Sequence, residues 1–287
     1  MNLQRAAAWW AVIRADLAQF SAWSLLAFGH WWGRVRAWFR FVHYRRPDTR
    51  FAVFPGMLRL SEALAIVFSV IVALVLFADP LFLSMLKERN KATLAIFEAV
   101  TRLGESAWIL YAAGGVLLVI SLYPEKTLSR SQRMKMHDWM LLVYFLFTSV
   151  AFSGLIANLF KNLIGRARPQ LTPQGDVWLL RPFADHYDYG SFPSGHATTA
   201  GALAMALMLL APKYRLFFGL LGLWIAISRP VLGVHFPSDI VAGIALGAGF
   251  TYVYARSFAR KRLLFSFGGD GALNVQPRLG SMGRVAT

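Results

Sequence analysis

The chain of 287 residues predicts an all-α integral membrane protein: a bundle of six transmembrane helices preceded by an N-terminal amphipathic interfacial helical region. Three observations carry that expectation. The composition is 57% hydrophobic and 15% charged with a mean hydropathy of +0.49, too apolar for a soluble domain. Beyond position 60, apolar runs follow one another with few charges inside them. Lys and Arg total 30 against 14 Asp and Glu, a net charge of +16. Such an excess, placed at the ends of apolar runs, fits anchoring against anionic headgroups better than it fits nucleic acid. The expected partners are therefore membrane lipids, with no nucleic acid and no obligate protein partner. Cysteine is absent, which excludes disulfides and thiolate metal sites and leaves zinc only His and carboxylates.

Residues 1–60 alternate Trp and Arg, and Trp31, Val35, Trp38 and Val42 fall at helical spacing, as in an amphipathic helix lying in the headgroup layer. The uncharged piece Leu17–Gly33 competes as a short span, but Gln19, Ser21, Ser24 and His30 weigh against it. Arg14 and Asp16 interrupt any signal-peptide core, so no cleaved leader is expected. The six spans are read at Ala63–Ala78, Ala107–Leu122, Trp139–Phe160, Ala197–Ala211, Leu216–Ile227 and Ile240–Ala255. In the second, Gly114-Gly115 would permit close helix contact. The fourth and fifth are short for a bilayer core about 30 Å thick, so their ends should extend into the polar flanks. From Arg256 the chain carries Arg260, Lys261 and Arg262, then Gly, Asn and Pro with little pattern, and 257–287 reads as a basic, disordered cytoplasmic tail. The expected division is thus a leader (1–60), a six-span unit (61–256) and this tail.

Placing both termini in the cytoplasm puts most cations inside, as the positive-inside rule asks. That threading sends three polar clusters to the opposite, periplasm-like face. The first follows span three: Lys161 and Arg168, seven apart, would lie on nearly one helix face as a clamp for a doubly charged phosphate, with Pro169 turning the chain away. Alone it reads as an ordinary basic flank after a membrane span. The second is Pro193-Ser194-Gly195-His196 before span four, where Ser194 can cap, Gly195 admits close approach and helix-start amides face an anion. Alone it is a capped helix with a histidine in its first turn. The third is Ser228-Arg229 followed by His235 and Asp239: Pro237 starts a helix, Asp239 sits in its first turn, and the carboxylate can hold one imidazole nitrogen. Alone it is also a structural pair beside a snorkelling arginine. Together the clusters supply cations, helix-start amides, two histidines and a carboxylate, the inventory of phosphoryl transfer without a metal.

The ordered triplet Lys161-x6-Arg168-Pro169, Pro193-Ser194-Gly195-His196 and Ser228-Arg229-x5-His235-x3-Asp239 resembles the three-part signature of the type 2 phosphatidic acid phosphatase (PAP2) family, over roughly Ala63–Ala255. The resemblance implies that His235 attacks phosphorus, Asp239 orients it, and His196 protonates the leaving group and then activates water. It implies that Lys161, Arg168, Ser194, Gly195 and Arg229 bind the phosphate, with no cofactor and no metal. The expected enzyme is a phosphatase at the outer leaflet of the inner membrane acting on a lipid phosphate or diphosphate: phosphatidic acid, phosphatidylglycerol phosphate, undecaprenyl diphosphate or lipid A. A phosphotransferase using the same phosphohistidine, and a lipid-phosphate binding protein without turnover, are the alternatives. Asp185–Tyr189 reads as solvated loop and Glu105 with Arg102 as an interfacial pair, while His137 and Asp138 fall on the cytoplasmic face as headgroup neighbours.

Overall fold

The computed structural model describes residues 28–54, 56–86, 91–124, 127–172, 176–184 and 186–276. The competing span at Leu17–Gly33 and the tail beyond 276 therefore lie wholly or largely outside the described residues. Helix α1 covers 28–44. Helix α2 (Met57–Ala73) runs through a π-helical stretch (Leu74–Ala78) into α3 (Asp79–Met85), and α4 (Lys91–Arg102) and α5 (Ser106–Leu122) follow. The longest is α6 (Arg130–Ile164), succeeded by α7 (Gly195–Leu210), α8 (Arg215–Val231), α9 (Pro237–Arg260) and a two-stranded antiparallel hairpin, β1 (Phe265–Phe267) with β2 (Leu273–Val275).

Arg59–Met85, Leu94–Leu122, Arg130–Ile164 and Pro237–Arg260 are long and apolar enough to cross a membrane. The fourth expected span, α7, is apolar but has only 16 residues. As the short spans required, α7 begins at Gly195 and α8 extends to Val231. The bundle is apolar outward: Ile66, Phe68, Phe77, Tyr111, Leu155 and Leu216 are exposed, whereas Asp79, Ser149, Ser153, Arg166 and Asp239 are buried. That inversion of the soluble pattern belongs to a protein whose outer solvent is hydrocarbon.

The tightest helix crossing is between α7 and α9. A Cβ added to Gly247 would stand 2.0 Å from the Thr198 carbonyl oxygen, so only glycine lets the two backbones meet there. Gly114 and Gly115 do not make the expected contact: a Cβ on Gly114 would meet only the Phe147 ring at 3.6 Å, and one on Gly115 nothing within 4 Å.

One expectation about the chain ends is corrected. Residues 257–276 are not disordered: α9 continues to Arg260, and Phe258, Leu263, Leu264 and Phe265 are buried with Leu141, Tyr144 and Phe145 of α6. The apolar residues between Arg262 and the glycines are the signal that was passed over. On α1, Trp38 and Val42 of the expected stripe pack into that same protein core. Trp31 Nε1 donates to Ser121 Oγ (2.9 Å), and Lys261 Nζ donates to the carbonyls of Val42 and His43 (3.1 and 2.9 Å).

Candidate active site

Each cluster is delivered by the end of a helix. Helix α6 stops at Ile164 because Gly165 takes a left-handed conformation (φ 61°), and the following strand-like stretch pairs Arg166 with Leu180. A Cβ on Gly165 would fall inside the Arg181 carbonyl, so both conformation and space demand glycine. Arg168 is therefore not two helical turns above Lys161. It lies on extended backbone (φ −76°, ψ 156°) beyond the break. The two cations reach the same region by different routes: Nζ of Lys161 would lie 3.2 Å from a Cβ on Gly195, while Arg168 donates from NH1 to the Val234 carbonyl (3.2 Å), next to His235.

Ser194 caps α7, accepting from the Ala197 amide at 3.4 Å, and its own amide donates to the Asp239 carbonyl (3.1 Å). The cap is thereby tied to the start of α9. His196 follows in the first turn of α7, against Gly104, whose added Cβ would be 3.4 Å from its Cδ2. Lys161 beside Gly195, the Ser194 amide on the Asp239 carbonyl and Arg168 on the Val234 carbonyl bring the three clusters to one place. Arg229, near the end of α8, donates from NH1 to Thr101 Oγ1 (2.9 Å), while its buried Nε meets no hydrogen-bond partner among the described residues.

Pro237 opens α9 as expected, leaving His235 just outside the helix and Asp239 in its first turn. Asp239 Oδ2 lies 3.4 Å from His235 Nδ1, a long contact, and accepts shorter bonds from the Phe236 amide (2.9 Å) and Ser191 Oγ (2.6 Å). The Nδ1 contact falls short of a hydrogen bond and Nδ1 has no hydrogen-bond partner among the described residues, but it sets the carboxylate on that side of the ring and leaves the other nitrogen as the one for chemistry. Burial holds the His235 imidazole down at about 4, with Arg168 and Arg229 adding to the effect and Asp239 opposing it. It is neutral, hence nucleophilic, at ordinary pH.

Behind the pair lies a buried ionic layer that the sequence did not announce. Arg166 NH1 donates to Asp239 Oδ1 (2.8 Å) and to Ser238 Oγ (2.7 Å), and its NH2 donates to Asp79 Oδ2 (2.8 Å) and the Val177 carbonyl (3.1 Å). Asp79 accepts from the Ser238 amide (3.1 Å) and hydroxyl (2.5 Å), and the Arg166 guanidinium lies 4.3 Å over the Phe236 ring. Both carboxylates are fully buried and Arg166 nearly so. Each charge is tolerable there only because the others saturate it. Asp79 was legible as a lone carboxylate ending an apolar run, a costly placement that asks for a partner; which partner was not.

The loop 186–190 is also more than solvated loop. The Arg168 amide donates to the Asp188 carbonyl (2.8 Å), its Nε donates to the Tyr187 carbonyl (3.1 Å), and its guanidinium stacks 3.7 Å from the Tyr187 ring centroid. Asp185 lies outside the described residues. A cavity of about 410 Å³ bordered by Lys161, Arg168, His186, Tyr187 and Tyr189 opens here, and His235, only 1% exposed, is not among its lining residues. Among the described residues no three His, Asp or Glu side chains gather as metal ligands would.

Fold and site together define an integral membrane protein with a buried, cation-lined histidine–carboxylate centre at one end of its bundle. A family model described as the PAP2 superfamily matches residues 142–263. The chain is 40% identical to the lipid A 1-phosphatase of Rhizobium johnstonii over 178 residues, covering 61% of this chain and 71% of that protein. It is 38% identical to the lipid A 1-phosphatase of Rhizobium etli over 207 residues, covering 71% and 86%. The crystal structure of a transmembrane PAP2-type phosphatidylglycerolphosphate phosphatase from Bacillus subtilis aligns with a TM-score of 0.42 at 18% identity, covering 67% of this chain and 93% of that one. The chain belongs to the PAP2 superfamily, and it is a membrane-embedded lipid phosphatase of that type.

Proposed function

We propose that this enzyme removes a phosphate from lipid A at the outer leaflet of the inner membrane, its termini in the cytoplasm, through a phosphohistidine on His235. The observation that carries the chemistry is a buried imidazole with the Asp239 carboxylate 3.4 Å from Nδ1 and the charges of Arg168 and Arg229 acting on it. Among the four lipid classes the chemistry allows, lipid A is favoured because two relatives that this chain matches over most of their length are named lipid A 1-phosphatases.

In the first step His235 Nε2 attacks phosphorus and the P–O bond to the sugar breaks. His196 gives its proton to the departing oxygen. Lys161, Arg168 and Arg229, with Ser194 and the Gly195 amide, neutralise the nonbridging oxygens as charge builds on them. The imidazolium formed at His235 is held by Asp239 through Nδ1–H. In the second step His196 takes a proton from water, the water oxygen bonds to phosphorus, and the P–N bond breaks to release phosphate and neutral His235. The catalytic unit is the chain from 61 to 256, with acyl chains entering between helices and the headgroup reaching the cations.

A phosphate-release panel over lipid A, undecaprenyl diphosphate, phosphatidic acid and phosphatidylglycerol phosphate tests the reading. Lipid A should exceed the others in kcat/KM by at least tenfold. Equal or lower turnover of lipid A would remove the substrate assignment and leave the family reading intact.

A further inference from the structure

A second cavity lies at the other end of the molecule, between α1, the end of α5 and the first turns of α6, and it encloses about 750 Å³. We propose that it is a lipid-binding site in its own right, taking an anionic phospholipid from the leaflet opposite the one that supplies the substrate. Its walls are apolar, formed by Trp38, Ile120 and Leu141, and its rim carries three guanidinium groups, Arg34, Arg130 and Arg133. His137 and Asp138 also line it, so Asp138 is the one carboxylate set against three arginines.

The geometry separates this site from the catalytic one. Arg133 and Lys161 stand near opposite ends of one continuous helix of 35 residues. Their separation along its axis is about 42 Å at 1.5 Å per residue, more than the thickness of a hydrocarbon core. No single lipid headgroup reaches both. The rim also has donors to spare. Arg34 NH1 donates to the Tyr123 carbonyl (2.8 Å) and Arg133 NH2 makes a long contact with the Leu128 carbonyl (3.4 Å), each using a fraction of the five N–H groups of a guanidinium. Arg130 and Arg133 are solvent-exposed. A phosphodiester fits such a rim bidentately, and the apolar walls would be wasted on free phosphate.

The site is roofed by α1, which is pinned to the bundle by Trp31 on Ser121 and by the burial of Trp38. A lipid held between them binds the docked arrangement and stabilises it by mass action. This inference is independent of the phosphohistidine chemistry, so either can fail alone.

The test uses the full chain purified in a neutral detergent and titrated with phosphatidylglycerol or phosphatidylcholine of identical acyl chains, read by thermal unfolding and by lipid retained in native mass spectrometry. Phosphatidylglycerol should raise the midpoint by about 5 °C near saturation and remain bound, while phosphatidylcholine does neither. The double variant Arg130→Gln/Arg133→Gln should lose the shift and the retained lipid at least fivefold, and Arg130→Lys/Arg133→Lys should keep part of both. These exposed positions leave the core untouched, and a monodisperse elution profile verifies folding. Lys161→Gln should keep the full shift. The proposal is overturned if phosphatidylcholine matches phosphatidylglycerol, if the Gln pair retains the shift, if inorganic phosphate alone reproduces it, or if Lys161→Gln abolishes it.

Discussion

The two ends of α6 are both rich in arginine, yet they use it in opposite ways. At the Lys161 end, Arg166 and Arg168 are buried, hold two or more hydrogen bonds each, and set the positions of Asp239 and of the backbone around His235. At the Arg130 end, cations sit on the surface, and what holds the structure is an aromatic and aliphatic core of Trp38, Tyr144, Phe145, Phe258 and Phe265. The contrast teaches that charge count says little about role. A buried guanidinium surrounded by carboxylates is an architectural element whose loss strands its partners; an exposed one is a ligand for whatever anion passes.

The sharpest break in that comparison is at the catalytic pair. His235→Ala should reduce phosphate release to the uncatalysed background while leaving the unfolding midpoint within a few degrees, measured with the same lipid substrate. Next in size is Arg166→Met, which leaves Asp79 and Asp239 buried without their cation. It should cost about 3–5 kcal/mol of stability and lower kcat in the fraction that folds. Arg166 acts through Asp239, so Arg166→Lys should restore stability better than it restores kcat. At the other end, Phe265→Ala removes a fully buried ring and should also cost about 3–5 kcal/mol, but with kcat per folded molecule unchanged. A fall in kcat with Phe265→Ala equal to that with Arg166→Met would erase the distinction between the ends.

The pH profile separates them again. His235 must be neutral to attack, and its value of about 4 keeps it so until the medium is strongly acidic. The acid limb of kcat/KM should therefore lie near pH 4, with activity lost below it, while the need for a proton on His196 sets a second, opposing limb on the alkaline side, once ionisation of the substrate is allowed for. Asp239 raises the imidazole value, so Asp239→Asn should lower the maximal rate and move that limb to still lower pH. A limb near 6.5 would show an imidazole in a water-like setting. The smallest effect is expected from Arg262→Gln, which removes a surface contact to Asp48 (3.1 Å) and should leave both midpoint and turnover without a measurable change.

Much of the architecture was legible because the membrane writes it plainly: apolar runs gave α2 and α5 to α9, though not α3 or α4, and Pro237 gave the start of α9 with His235 and Asp239 on either side. The route by which Arg168 joins Lys161 was not, because helical spacing was extended across Gly165, and a left-handed glycine ends a helix without leaving the next residues on its face. Asp79 and Arg166 were hidden for a different reason. Their pairing joins positions 87 apart, and no local pattern encodes such a contact. The ordered tail was missed because its three-residue strands are too short for an alternation to register, although Leu263, Leu264 and Phe265 form an apolar run with nowhere to go but the core.

The central claim is that His235 carries the phosphoryl group between the lipid and water. Rapid acid-free quenching of the enzyme mixed with radiolabelled lipid phosphate, followed by peptide mapping, measures it directly. The expected result is a transient, acid-labile, base-stable label on the peptide containing His235, absent from His235→Ala. Turnover at full rate with no label on that peptide, or with label on another residue, would contradict it.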